Sequence, residues 1–327
     1  MIPLSVLDLS VVRADGTSAD ALADTTRLAQ RADDLGFLRF WVAEHHNMAT
    51  VASTTPSVLI AHLAGATARI RVGSGGVMLP NHAPLAIAEQ FALLEALHPG
   101  RIDLGIGRAP GTDPITASAF GRNPQTSVDA FPRDVIDVMG MLGDKRGDEG
   151  MWNRFRATPA LITTPVVALL GSSGYSAQLA GMLGIPFAYA HHFDTGGTES
   201  AARLYLERFT PSPALDEPYL IVGVGALAAD TDEEADRIGL PGRILRHGIR
   251  TNSRSPLLSP DEAPTHPNAE AARSMPTDQL IGSAERVAEG LRYLAQRTKA
   301  NELMLTAATY DVADRITSLE LITKAWS

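Results

Sequence analysis

A chain of 327 residues with 45% hydrophobic content holds ample apolar material for a large core, and its average polarity excludes a disordered polypeptide. Its 28 Lys and Arg against 37 Asp and Glu leave a net charge of −9, which offers no electrostatic footprint for a nucleic-acid backbone. The absence of cysteine excludes disulfides, thiolate metal sites and cysteine nucleophiles.

Short apolar runs alternate with segments of helical period along the whole chain. Strands are predicted at Leu4 to Leu9, Leu38 to Ala43, Ile70 to Gly75, Ile102 to Ile106, Val166 to Leu170, Pro186 to Ala190, Tyr219 to Leu227 and Glu302 to Thr306. The first helix is expected to start near Ser18, whose hydroxyl would cap it, and to end at Gly36 with Ala21, Leu22, Leu28, Ala32 and Leu35 on its apolar face. Another spans Pro84 to Leu97, with Pro84 at a first-turn position that needs no N–H. A third follows Gly171-Ser172-Ser173-Gly174 and stops near Gly184, and the last covers Val312 to Ala325. Two stretches break the rhythm: Ala109 to Gln125 reads as a long loop above the fourth strand, and the prolines of Leu240 to Pro276 argue against a long uninterrupted helix.

Eight strand-then-helix units favour a closed (β/α)8 TIM barrel, here one domain over residues 1–327 with a Pro-rich insertion after strand 7; an open doubly wound sheet is the alternative. The N-terminus lacks a basic region and carries Pro3 and Asp8 in its apolar stretch, unlike a signal peptide. The longest apolar run, Tyr219 to Ala229, is too short to cross a bilayer. A soluble cytoplasmic protein without a membrane partner is the expectation.

In a parallel α/β protein, chemistry gathers where strands end. The run Phe40-Trp41-Val42-Ala43-Glu44-His45-His46 ends an apolar strand in a carboxylate and two imidazoles. Such ligands suit transition metals, but adjacent strand residues face opposite ways, so His45 and His46 do not share an ion unless the backbone turns sharply. A general acid–base histidine is favoured over a metal, with a packed histidine and an ion-paired Glu44 as the bland alternatives. Gly73-Ser74-Gly75-Gly76 ends the third strand, which marks either a rim bulge or a flat ligand against the backbone. Arg108 after the fourth strand, with Ser172 and Ser173 at a helix start after the fifth, reads as an anion site. Gly223-Val224-Gly225-Ala226-Leu227-Ala228 has dinucleotide-type spacing but falls inside a strand, and His191-His192 offer at most one side chain to the same pocket.

These segments resemble the bacterial luciferase-like family of flavin-dependent monooxygenases, particularly its non-luminescent alkanal monooxygenase-like branch. The resemblance is carried by Trp41 to Asn47, by Val72 to His82 with Ile87-Ala88-Glu89-Gln90, by Pro99 to Arg108, and by Leu170-Gly171-Ser172-Ser173 with Ser176. It implies FMN at the C-terminal ends of the barrel strands. His45 matches the family's catalytic histidine, Arg108 its phosphate-binding arginine, and Ser172, Ser173 and Ser176 the remaining phosphate contacts. Gly75 and Gly76 match a pair joined by a cis peptide beside the flavin ring, and Glu44, His46 and His82 remain as supporting groups. The implied reaction uses reduced FMN and dioxygen, through a peroxyflavin, to oxygenate a small organic molecule. A separate flavin reductase and a homodimer accompany it. The alternatives are deazaflavin-dependent hydride transfer on the same barrel and a flavin-binding protein without turnover.

Overall fold

Apolar runs too short for helices become parallel strands here, and each needs a helical crossover before the next can lie beside it. The computed structural model describes residues 1–109, 111–120, 124–193, 196–253 and 255–326, with the backbone alone at 124–127. β1 (Leu4–Asp8), β2 (Arg39–Val42), β3 (Arg71–Met78), β4 (Ile102–Gly107), β5 (Val166–Gly171), β6 (Phe187–Tyr189) and β7 (Leu220–Ala229) pair in chain order. β8 (Leu280–Ser283) pairs with the C-terminal part of β7, while β9 (Glu302–Thr306) joins β7 back to β1. Eight parallel strands thus close a (β/α)8 barrel, with β8 added to it.

The crossovers are α1 (Ser18–Asp34), α2 (Pro56–Ala66), α3 (Pro84–Leu97), then α4 (Pro114–Ala119) and α5 (Pro124–Met141). They continue with α6 (Gly174–Leu183), α7 (Thr198–Arg208), α8 (Asp232–Thr251), α9 (Ala269–Ser274), α10 (Ala284–Thr298) and α11 (Val312–Trp326). No described helix is long and apolar enough to cross a membrane.

Several local expectations are corrected. The cap of α1 is Thr17, not Ser18: Thr17 Oγ1 accepts from the Asp20 N–H and the Asp20 carboxylate accepts from the Thr17 N–H, a reciprocal pair that sets the start one residue earlier. β3 does not stop at Gly75 but runs to Met78, with its register on β4 shifting between Gly75 and Val77. Part of the expected loop at 109–125 is helical, as α4 and the start of α5, while Pro110 and residues 121–123 lie outside the described residues. The Pro-rich insertion begins inside α8, which runs through Pro241; the ring removes one backbone bond, but Leu240, Pro241 and Ile244 are buried and packing carries the helix through.

Period-two alternation sorts the barrel into an outer and an inner core. Val6, Phe40, Val72, Leu104, Val222 and Leu305 face outward into the large core shared with the helices. Facing inward are Leu7, Trp41, Ala168, Ala188, Ile221 and Met304, which form a separate apolar layer. Below that layer, at the N-terminal ends of the strands, the interior is charged. Arg39 donates to Glu302 at 2.9 Å and to Asp103 at 2.8 Å, Ser5 donates to Glu302 at 2.5 Å, and Tyr219 donates to Glu302 at 2.8 Å. Asp103 also accepts from Arg71 and from the Trp41 indole at 3.0 Å.

Burial disfavours the Arg39 cation, but the two carboxylates more than offset it and raise its pKa. Breaking such a pair strands a buried charge, typically at ~3–5 kcal/mol, whereas an exposed pair contributes ~0–1 kcal/mol. Glu302→Gln is therefore expected to lower unfolding free energy by about 3 kcal/mol in urea titrations. Glu320→Gln, at the half-exposed pair with Arg31, should stay within about 1 kcal/mol of the parent. Equal losses in the two variants would contradict the proposed weight of the barrel floor.

Candidate active site

Above the apolar layer the C-terminal ends of the strands surround a cavity of about 290 Å3. Leu7, Trp41 and Met304 contribute its apolar floor. His45, Gly75, Arg108, Ser172, Ser173 and Ser176, singled out on separate segments of the sequence, all line it. Gly76 follows Gly75 across a cis peptide. A Cβ on Gly75 would lie 2.7 Å from Leu7 Cδ1, and one on Gly76 would lie 2.8 Å from the Gly105 carbonyl oxygen. The register shift between Gly75 and Val77 bears out the rim bulge, and Gly75 also lines the cavity.

One end of the cavity gathers positive charge and hydrogen-bond donors. β5 enters α6 through Ser173, whose extended backbone caps the helix without a hydrogen bond from its hydroxyl. The first-turn N–H groups of α6 thus keep their partial positive charge. Arg108, leaving β4, sets its guanidinium 4.1 Å from the centre of the Tyr175 ring on that first turn. Ser176 is buried beside them. No Asp, Glu or Lys lines the cavity among the described residues, so Arg108 is its permanent cation there.

The two histidines after β2 part company, as strand geometry requires. His45 turns into the cavity, and its Nδ1 lies 3.2 Å from the Gly111 carbonyl oxygen. A carbonyl only accepts, so Nδ1 carries the proton and Nε2 is the basic nitrogen of the neutral ring. Burial lowers the His45 pKa, outweighing the Gly111 carbonyl and the Glu44 charge that act to raise it, and the ring is neutral at pH 7.

Glu44, fully buried, holds the other imidazoles. His46 Nε2 and His82 Nε2 each donate to Glu44 Oε1 at 2.8 Å, and the Met78 N–H donates to Oε2 at 3.0 Å. Phe120 packs edge-on against His46 with ring centres 4.6 Å apart. Glu44, His46 and His82 do not line the cavity; they brace its rim by tying the β2 loop to the end of β3. Among the described residues no group of three or more metal-capable side chains is placed to hold an ion.

His191 and His192 also separate. His191 Nδ1 pairs with Thr198 Oγ1 at 2.8 Å, whereas His192 donates to the Gly223 carbonyl oxygen at 3.1 Å and lines the cavity. Gly223 and Gly225 sit inside β7, away from any helix start. Sequence reasoning missed Tyr175 and Gly111. Tyr175 was accessible from its first-turn position beside the serines, while the Gly111 contact joins loops 66 residues apart and left no local signal.

Burial penalises the Glu44 carboxylate, yet the hydrogen bonds from His46 and His82, the charge of His82 and the Met78 N–H bring its pKa down to about 2. A depressed carboxylate stabilises the fold above its unfolded pKa of 4.5 and loses that contribution as pH falls towards 2. The shift corresponds to on the order of 3 kcal/mol. Glu44→Gln should cost about that much near pH 6, with urea midpoints of variant and parent converging between pH 4.5 and 2. A pH-independent gap would show that the carboxylate charge is not what braces the rim.

The chain matches the luciferase-like monooxygenase family over residues 2–301. It is similar to an Escherichia coli luciferase-like monooxygenase, 38% identical over 324 residues that cover 98% of this chain and 96% of that protein. It is also similar to Bacillus subtilis N-acetyl-S-alkylcysteine monooxygenase, 35% identical over 333 residues, covering 99% and 98%. Among solved structures, apo-MsnO8 matches with a TM-score of 0.91 and 34% identity, covering 100% of this chain and 98% of that one. The fold recurs at lower identity in the oxygenating constituent of Pseudomonas putida 3,6-diketocamphane monooxygenase in complex with FMN, with a TM-score of 0.74, 21% identity and coverage of 99% and 97%. It recurs too in an F420-dependent secondary alcohol dehydrogenase, with a TM-score of 0.66, 18% identity and coverage of 100% and 99%. On the match across most of its length and the relatives aligned from end to end, the chain belongs to the luciferase-like monooxygenase family of flavin-dependent enzymes.

Proposed function

We propose that this protein, as a single barrel domain in the cytoplasm, binds FMN at its barrel mouth and uses it, reduced by a separate flavin reductase, to oxygenate a small uncharged organic molecule. The observation that carries this reading is one cavity with a phosphate-type cradle at one end and a neutral imidazole over an apolar floor. The residues suit FMN. Arg108, the open first turn of α6 and the hydroxyls of Ser172, Ser173 and Ser176 would hold the phosphate, and Gly75, which lines the cavity without a side chain, would lie against the flat ring beside β3.

When bound, reduced FMN supplies the electrons that activate dioxygen. The chain's own part is to orient, to exclude water and to move a proton. Leu7, Trp41, Ile221 and Met304 keep the floor apolar, which limits water at the reacting face. His45 accepts or returns a proton at Nε2 while its Nδ1–H stays on Gly111. With Arg108 committed to phosphate, no other permanently charged described side chain lines the cavity, and an uncharged substrate follows. The monooxygenases among its relatives support oxygen transfer over deazaflavin hydride transfer.

The test supplies enzymatically reduced FMN and 18O2 with a panel of neutral thioethers, aldehydes and ketones. One 18O atom should enter a product, and His45→Ala should keep FMN affinity while most reduced flavin is lost to hydrogen peroxide. Coupled turnover unchanged in His45→Ala would remove its role. Tighter binding of a deazaflavin than of FMN, with no 18O incorporated, would favour hydride transfer instead.

We also propose a homodimer through α2 and α3. Both helices are mostly apolar, with His62 and Gln90 as exposed polar positions, and they leave Val58, Leu93 and Leu97 exposed by 69%, 51% and 59%. Gly65, Ala86 and Ala96 are also exposed on these helices and add no charge. Sedimentation should give a dimer at micromolar concentration, and Val58→Lys with Leu93→Lys should give a folded monomer. A monomeric parent would refute the assignment.

A further inference from the structure

We infer that Gly111 is a positioning residue for His45: its carbonyl oxygen selects the Nδ1–H tautomer and thereby turns the basic Nε2 toward the cavity. The inference rests on the reading of His45 as the proton-handling group. In the other tautomer the Nδ1 lone pair would face the carbonyl oxygen across 3.2 Å, with no hydrogen between them. The loop therefore decides which nitrogen meets the substrate side.

Only glycine lets this carbonyl stand where it does. Gly111 has φ +64°, and a Cβ there would lie 2.8 Å from the Glu44 carbonyl oxygen and 3.0 Å from Met78 Cγ. The backbone at Gly111 is thus pressed directly against the β2 loop that carries His45. Two further ties hold the contact in register: Thr112 Oγ1 donates to the His46 carbonyl at 3.1 Å, and Asn47 Nδ2 donates to Thr116 Oγ1 at 3.0 Å. Asp113 fixes the loop's exit by accepting from the Ile115 and Thr116 N–H groups at the start of α4. On its other side the His45 N–H donates to the Ser53 carbonyl at 3.1 Å, so the backbone beneath the ring is held independently. Gly111 touches no reacting atom; it acts through the imidazole.

The experiment reads the tautomer directly, in flavin-free protein labelled with 15N in its histidine rings. The His45 signals are assigned by their loss in His45→Gln, and long-range 1H–15N spectra are recorded at neutral pH. In the parent, Nδ1 should give a pyrrole-type shift and Nε2 a pyridine-type shift. In Gly111→Ala the two shifts should move toward each other as the tautomers mix, with product formed per FMN oxidised falling about tenfold, within the reach of a misdirected general base. An Nε2–H tautomer in the parent would overturn the inference whatever happens to the variant, as would an unchanged spectrum in a folded Gly111→Ala protein. If instead His45→Ala keeps coupled oxygenation, the functional reading of His45 fails while the tautomer assignment stands on its own spectrum.

Discussion

Arg39, buried between Glu302 and Asp103, is the constraint on which the barrel depends. One cation from β2 reaches a carboxylate on β9 and another on β4, so three strands that are not neighbours are tied across the interior. Paired charges in low dielectric do little for net stability, since desolvation offsets much of their attraction, but they strongly penalise any register that separates them. The same Asp103 accepts from the Trp41 indole, which is both a member of the apolar layer and part of the cavity floor. Charge at the base thus fixes the height and tilt of the ring at the base of the site.

From that floor upward each layer has a different job, and the two-residue period of the strands assigns it. Along β2 and the residues that follow it the inward positions run Arg39, Trp41, Ala43 and then His45, that is, an anchor followed by three cavity-lining positions. The intervening Phe40 and Val42 go to the outer core. Glu44 falls on the opposite side from His45, where it is buried and accepts from the partly buried His46 and His82. Burial lowers the His45 pKa, against the Gly111 carbonyl and the negative charge of Glu44, which act to raise it.

This vertical order was legible in the sequence because alternation and abrupt polarity changes are local signals. The eight barrel strands, the split of His45 from His46 and the grouping of Arg108 with the serines came from such signals. β8 was not legible: Leu280-Ile281-Gly282-Ser283 is four residues long, carries a glycine and forms through pairing with β7. Nor was the course of α8, since proline propensity argued for a break and burial of Leu240, Pro241 and Ile244 overrode it. Gly111 was hidden for another reason. Its role lies in a backbone carbonyl, which every residue type possesses, and only the spatial contact distinguishes it.

The anion end and the proton end of the cavity look like separate devices, one on β4 and α6, the other on β2. They share a loop. Arg108 and Gly111 lie three residues apart after β4, so the cavity's cation and the carbonyl that accepts from His45 are near neighbours in the chain. Thr112 and Asn47 tie that segment to the β2 loop, and Arg108 rests on Tyr175 of α6. On the functional reading proposed above, the groups for the phosphate and for the proton are thus attached to one stretch of chain, at Arg108 and at Gly111.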